Sequence, residues 1–195
     1  WAELEDGEKI IGESLIGKSP KPISRIGCLP ENPPALQNAI EAIKEADLIV
    51  LGPGSLYTSL LPNLLVPEIV EELLKNNSPK IYISNLMTQP GETDGLDVYQ
   101  HIKSIEKQLF NFGVNTRIFN AILSQGEFEG SSLIDYYRSR GAEPVICNKK
   151  RLVSEGYHVL QAPLYSKRIT PTLRHDYRRL ARAVMYLYKK IKKAS

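Results

Sequence analysis

Two short stretches hold most of the groups able to do chemistry. In GPGSLYTS, residues 52–59, Gly52 and Gly54 permit close backbone approach and positive φ, while Ser55, Thr58 and Ser59 offer hydroxyls beside the free amides of a starting helix. That combination suits a phosphate. The same residues also make an ordinary tight turn in which Ser55 caps the helix, and for an isolated Gly-Pro-Gly-Ser the turn is the default. The stretch does not read GxxxxGK[ST] and has no lysine nearby, so it is not a P-loop. In SNLMTQPGETDG, residues 84–95, Asn85, Thr88, Gln89, Glu92, Thr93 and Asp94 crowd around Pro90 and Gly91. A plain connection needs fewer donors and acceptors than this. Glu92 and Asp94 are a carboxylate pair able to hold magnesium on a substrate phosphate, and Thr93 or Asp94 is equally suited to capping the helix that follows.

The elements that position these loops follow from hydrophobic patterning. DLIVLG (47–52), KIYISNL (80–86) and RIFNAIL (117–123) are apolar runs without alternation, the pattern of central parallel strands covered on both faces. Between them lie helical stretches: PENPPALQNAIEAIKEA with prolines before or at its first turn, a helix restarting at Pro67, and VYQHIKSIEKQLFNFG ending at Gly113. SSLIDYYRSRGA (131–142) reads as a short helix, and PVIC and YHVLQAPL as strands before a long C-terminal helix. The opening WAELEDGEKIIGESLIG reads as a hairpin around Asp6-Gly7, and ISRIGCL as a strand. Such alternation predicts one α/β domain over residues 1–195 with a mainly parallel sheet. Ligands bind such sheets beyond the carboxyl ends of the strands, where both polar loops fall.

Composition narrows the function classes. With 42% hydrophobic residues in 195, disorder is excluded. No apolar run reaches the length of a bilayer-spanning helix and no secretory signal is present, so a cytoplasmic protein without a membrane partner is expected. Cys28 and Cys147 form no CxxC, and His101, His158 and His175 are scattered, which argues against a structural zinc site or a disulfide scaffold. A net charge of +3 is too small to imply nucleic acid. The basic residues gather near the C-terminus, but Leu173, Tyr177, Leu180, Val184, Leu187 and Ile191 recur at three- and four-residue steps, so the cluster reads as the solvated face of an amphipathic helix.

DLIVLGPGSLYTSLLPNLLVPEI together with KIYISNLMTQPGETDGLDVYQHI closely resembles the YvcK/CofD-like family, also called the gluconeogenesis factor or UPF0052 family, and LRHDYRRLA (173–181) resembles that family's closing motif. The three blocks stand in the family's order and spacing. The resemblance implies a Rossmann-like three-layer fold and two branches of function. One is a cytoplasmic YvcK-like factor that binds UDP-sugars and is needed for cell shape and growth on gluconeogenic carbon. The other is a CofD-like 2-phospho-L-lactate transferase, moving a phospholactyl group from a nucleotide-diphosphate donor to a deazaflavin with magnesium. The wording of both long blocks favours the first, and nothing identifies a deazaflavin pocket or a general base. A non-catalytic scaffold with a vestigial site, its basic C-terminal helix binding a partner, is the third reading.

On the favoured reading Gly52, Gly54 and Ser55 receive phosphate, Asn85, Thr88 and Gln89 read sugar or base, and Arg174 neutralises the diphosphate. Asp176 caps the last helix or orients His175, unless all three are simply a capping cluster. Tyr137 stacks on a base, or packs as a core or rim tyrosine. The family further suggests a homodimer or larger assembly. Two departures stand out: the family's glycine-rich GGGTG-like first turn is absent, so the chain is expected to be the later part of a longer domain, and Tyr177 stands where proline is frequent.

Overall fold

The computed structural model describes residues 1–19, 21–128, 132–166 and 172–194. Its N-terminal part is a small antiparallel sheet. β1 (Ala2–Leu4) pairs with β2 (Lys9–Ile10) through the expected Asp6-Gly7 turn, where Gly7 takes φ +87°. After the single-turn α1 (Glu13–Ile16), β3 (Ile23–Ile26) adds to the other edge of β1, giving the order β2-β1-β3.

The second sheet is parallel throughout. α2 (Gln37–Glu45) leads to β4 (Ile49–Leu51), followed by a π-helical turn (Leu56–Leu60), a 3₁₀ turn (Leu61–Leu65) and α3 (Pro67–Lys75), with proline at the helix start as expected. β5 (Lys80–Ile83), α4 (Val98–Phe110), β6 (Ala121–Gln125), α5 (Ser132–Arg138), α6 (Lys149–Ser154), β7 (His158–Ala162) and α7 (Tyr177–Ala194) complete the chain. The strand order is β4-β5-β6-β7. Ser131, where the α5 helix was expected to begin, lies outside the described residues.

Side-chain alternation divides the core between the two faces of this sheet. Tyr82 and Ile122 point toward α4 and the small sheet, packing with Val98, Ile102, Ile105, Leu109, Ala2, Leu4, Ile23 and Ile26. Ile81, Ile83, Ala121 and Leu123 point the other way, against Ile134 of α5 and Ala183, Leu187 and Ile191 of α7. Each fully buried aliphatic side chain contributes roughly 1.5–3 kcal/mol, so a strand buried on both faces anchors both layers. β5 and β6 are such strands; every one of their residues is buried.

Several expectations need correction. β4 is parallel but lies at the sheet edge, not the centre, and its Val50 is 39% exposed. β6 starts at Ala121 and not at Arg117: Ile118 and Phe119 are buried ahead of it, and Asn120 opens the ladder by accepting from the Lys80 amide through its side chain (2.8 Å). PVIC forms no strand, only an isolated bridge of Pro144 with Met87, and α6 follows it, capped by Asn148. α4 is capped by Asp97 with Gln100 in a reciprocal capping box, and not by Thr93 or Asp94. Tyr177 is 70% exposed and stands outside the apolar stripe of α7.

Candidate functional site

All four strands of the parallel sheet point their carboxyl ends to one edge, and three sequence-distant segments meet there. The first follows β4. Gly52 takes φ +98°, and a Cβ on it would come within 2.5 Å of the Ile83 carbonyl oxygen at the end of β5, so only glycine brings the two strand ends this close. Gly54 does not have positive φ; a Cβ there would meet the Leu60 side chain at 3.1 Å. Its amide instead donates to Asn85 Oδ1 at 3.3 Å, tying the loop after β4 to the loop after β5. Ser55 makes no side-chain cap bond, so the expected capping role is not the one it plays; its carbonyl accepts from the Ser59 and Leu60 amides.

The amides of a first helical turn have no acceptor within the helix. Here the Glu92 carboxylate faces two of them, those of Tyr57 and Thr58, and its Oε1 accepts from the Thr58 hydroxyl at 3.1 Å. Burial pushes the Glu92 carboxyl up, and these hydrogen bonds partly oppose the shift. A protein carboxylate therefore already occupies part of the place the sequence offered to phosphate. What remains open lies at Ser55, next to the Gly54 amide that Asn85 holds.

The polar loop after β5 is largely consumed by its own architecture. Thr88 exchanges two hydrogen bonds with Glu143, its amide donating to the Glu143 carbonyl (2.7 Å) and its hydroxyl accepting from the Glu143 amide (2.9 Å). The Thr93 hydroxyl accepts from the Gln89 amide (2.9 Å), and Asp94 accepts from the Gly91 amide (2.7 Å). Gly91, at φ +83°, lies so close to the carbonyls of Gly17 and Ser19 that a Cβ would meet both below 3.0 Å. Glu92 is buried and Asp94 exposed, and each accepts a hydrogen bond of its own. Among the described residues no group of three His, Cys, Asp or Glu side chains is placed to hold a metal ion.

The closing motif is carried to the same edge by a relay of contacts. Gln125, at the end of β6, accepts from the amides of Leu164 (2.7 Å) and Tyr165 (3.1 Å). That segment pairs in turn with residues 174–176: Tyr165 bridges His175, Ser166 donates to the Arg174 carbonyl (2.9 Å) and Asp176 to the Leu164 carbonyl (2.7 Å). The His175 ring then faces the Ser84 backbone at the end of β5. Burial pulls the His175 pKa down, while the Ser84 backbone opposes that shift by favouring the charged form. Asp176 Oδ1 accepts from the amides of Arg178 and Arg179 and caps α7. Arg174 is exposed, and its Nε donates only to the Thr172 hydroxyl at 3.2 Å, so no carboxylate engages its guanidinium among the described residues.

Tyr137, half-buried on α5, accepts from the Leu173 amide at 3.0 Å and so pins the entrance to the closing motif. The sequence reading missed Gln125 and Ser84. The signal for Gln125 was present: a polar side chain at the carboxyl end of a fully apolar run. A cleft of about 720 Å³ opens at the ends of β6 and β7, lined by Gln125, Phe128, Asp135, Arg138, Cys147 and Gln161, a volume within the range of small-molecule sites. None of the residues expected to bind ligand lines it.

Residues 1–165 match the family profile described as 2-phospho-L-lactate transferase CofD. The gluconeogenesis factor of Bacillus subtilis is 37% identical over 188 residues, covering 96% of this chain and 57% of that protein. A relative from Nostoc sp. is 40% identical over 188 residues, which is 40% of its own length. The crystal structure of a UPF0052 family protein from Bacillus halodurans superposes with a TM-score of 0.86 at 38% identity, covering 94% of this chain and 57% of that one. The chain thus spans about half the length of the relatives it matches.

Proposed function

The chain belongs to the 2-phospho-L-lactate transferase CofD family, and from that premise we propose that it carries part of a nucleotide-sugar site in a gluconeogenesis-factor-like protein. The ligand class is a UDP-sugar, held with its diphosphate at the carboxyl edge of the parallel sheet. The observation that carries this reading is convergence: the Gly54 amide on Asn85, the His175 ring on the Ser84 backbone, and an exposed Arg174 that meets no carboxylate among the described residues all belong to one edge. Gly54 and Ser55 supply backbone and hydroxyl donors, Arg174 supplies the charge that matches a diphosphate, and Asn85 and Gln89 remain for the sugar or base. Thr88 and Thr93 hold the loop that presents them. The cleft at the ends of β6 and β7 provides room for the rest of the ligand.

The reading extends to the whole protein as a cytoplasmic factor required for cell shape and growth on gluconeogenic carbon, assembled as a homodimer or larger. Among the described residues no helix is long and apolar enough to cross a membrane, which accords with it. A binding screen of the full-length protein against UDP-sugars, other nucleotide diphosphates and deazaflavins tests the function. Saturable UDP-sugar binding with no deazaflavin binding supports it. Deazaflavin binding with turnover of a nucleotide-diphosphate donor moves the protein to the transferase branch.

A further inference from the structure

α7 carries Arg178, Arg179, Arg182, Lys189, Lys190, Lys192 and Lys193 and no acidic residue. None of these seven cations is in an ion pair among the described residues. Against 25 basic and 22 acidic residues in the whole chain, they leave everything outside the helix with a net charge of −4. The charge is therefore segregated onto one element, which a merely solvated face does not require.

The inner side of α7 is fixed to the sheet through Ala183, Leu187 and Ile191, with Leu180 and Val184 against the same cluster. Opposite that side, at helical spacing, runs the stripe Arg178, Arg182, Met185, Lys189 and Lys193. Met185 and Tyr186 stand exposed, 46% and 56%, in the middle of the cations. An apolar thioether and a tyrosine flanked by arginines and lysines are the groups that settle at a lipid headgroup boundary.

We propose that the outer face of α7 docks on an anionic phospholipid surface. Clusters of this size on an amphipathic helix suit acidic headgroups. The helix, about 27 Å long at the standard rise, offers a shallow line of contacts. The lysine-rich end lies beside Pro79 and Asn120 at the amino ends of β5 and β6, the edge opposite the nucleotide-sugar site, so docking leaves that site open. Surface docking of this kind needs no bilayer-spanning helix, and none is present among the described residues.

The test is co-sedimentation of the full chain with vesicles of phosphatidylcholine alone and of phosphatidylcholine with phosphatidylserine, at low and high salt. The chain binds the phosphatidylserine vesicles, releases at high salt and ignores the neutral ones. Replacing Lys189, Lys190, Lys192 and Lys193 by glutamate lowers partitioning at least about 100-fold, as the loss of four such contacts requires. Met185→Ser with Tyr186→Ser weakens it severalfold at unchanged charge. Circular dichroism of both variants matches the parent, because every replaced residue is exposed. Absence of phosphatidylserine-dependent binding, its persistence after charge reversal, or preference for an RNA homopolymer over vesicles overturns the proposal.

Discussion

The Gly54 amide donates to Asn85 Oδ1 at 3.3 Å, joining the loop after β4 to the loop after β5 across the carboxyl edge of the sheet. The same two segments are also joined by the Thr58 hydroxyl on Glu92 Oε1 (3.1 Å) and by the crowded approach of Gly52 to Ile83. Asn85→Ala removes the acceptor while leaving the half-buried position filled. Affinity for a UDP-sugar is expected to fall about five- to tenfold, the scale of one neutral hydrogen bond, with little change in thermal midpoint. Titration calorimetry beside a melting curve separates the two effects; a lowered melting point at wild-type affinity would assign Asn85 to loop stability alone.

The two glycines of the turn are expected to behave differently. Gly52→Ala forces a Cβ against the Ile83 carbonyl at a left-handed φ, and should destabilise the fold by roughly 1–3 kcal/mol or more. Gly54→Ala meets the Leu60 side chain at 3.1 Å and Ser59 Cβ at 3.4 Å, with no backbone clash and no left-handed φ, and should cost less than Gly52→Ala, about 1 kcal/mol or below in denaturant unfolding. Equal losses at the two positions would contradict the geometry.

His101 sets a pH dependence. It is fully buried, its Nδ1 is 3.0 Å from the Tyr82 hydroxyl, and burial pulls its pKa down to about 4 from an ordinary 6.5. Between those two values the unfolded chain binds a proton that the folded chain refuses, so stability falls as pH drops through this window and levels off below about 4. The contribution is a few kcal/mol in order of magnitude. Glu92, whose carboxyl is pushed up, works with the opposite sign and partly offsets it. Chemical denaturation across the window should show the slope in the parent and a shallower one in His101→Gln, which keeps an acceptor for Tyr82.

Arg174 is exposed, and among the described residues its guanidinium donates to the Thr172 hydroxyl without meeting a carboxylate. Arg174→Ala should leave stability unchanged and weaken UDP-sugar binding about ten- to a hundredfold, the range for a charge-assisted bond to phosphate. Arg174→Lys should recover part of the loss, since a point charge remains but the planar fork does not.

Period and burial made the parallel sheet readable, since β5 and β6 are apolar on both faces and announce it. The position of β4 at the edge was not readable, because LIVL looks the same whether a strand covers its outer side or not. PVIC misled for a related reason: Val145 is buried and Ile146 exposed in an irregular segment whose backbone bonds go to Leu86 and Val98. The site was legible as residue types at loop positions. What each side chain does there was not, because the partners lie far away in sequence: Thr88 finds Glu143, Glu92 finds Thr58 and Tyr57, and Tyr137 finds Leu173. A polar side chain satisfied by a distant backbone group is indistinguishable, in sequence, from one awaiting a ligand.

The central claim is that a nucleotide-sugar lies at this edge with its diphosphate on Gly54, Ser55 and Arg174. A crystal structure of the full-length protein with a bound UDP-sugar tests it most directly. The account predicts diphosphate oxygens within hydrogen-bond distance of the Gly54–Ser55 backbone or the Ser55 hydroxyl, and the Arg174 guanidinium turned onto them. A UDP-sugar bound elsewhere, with Arg174 still in solvent, would contradict it.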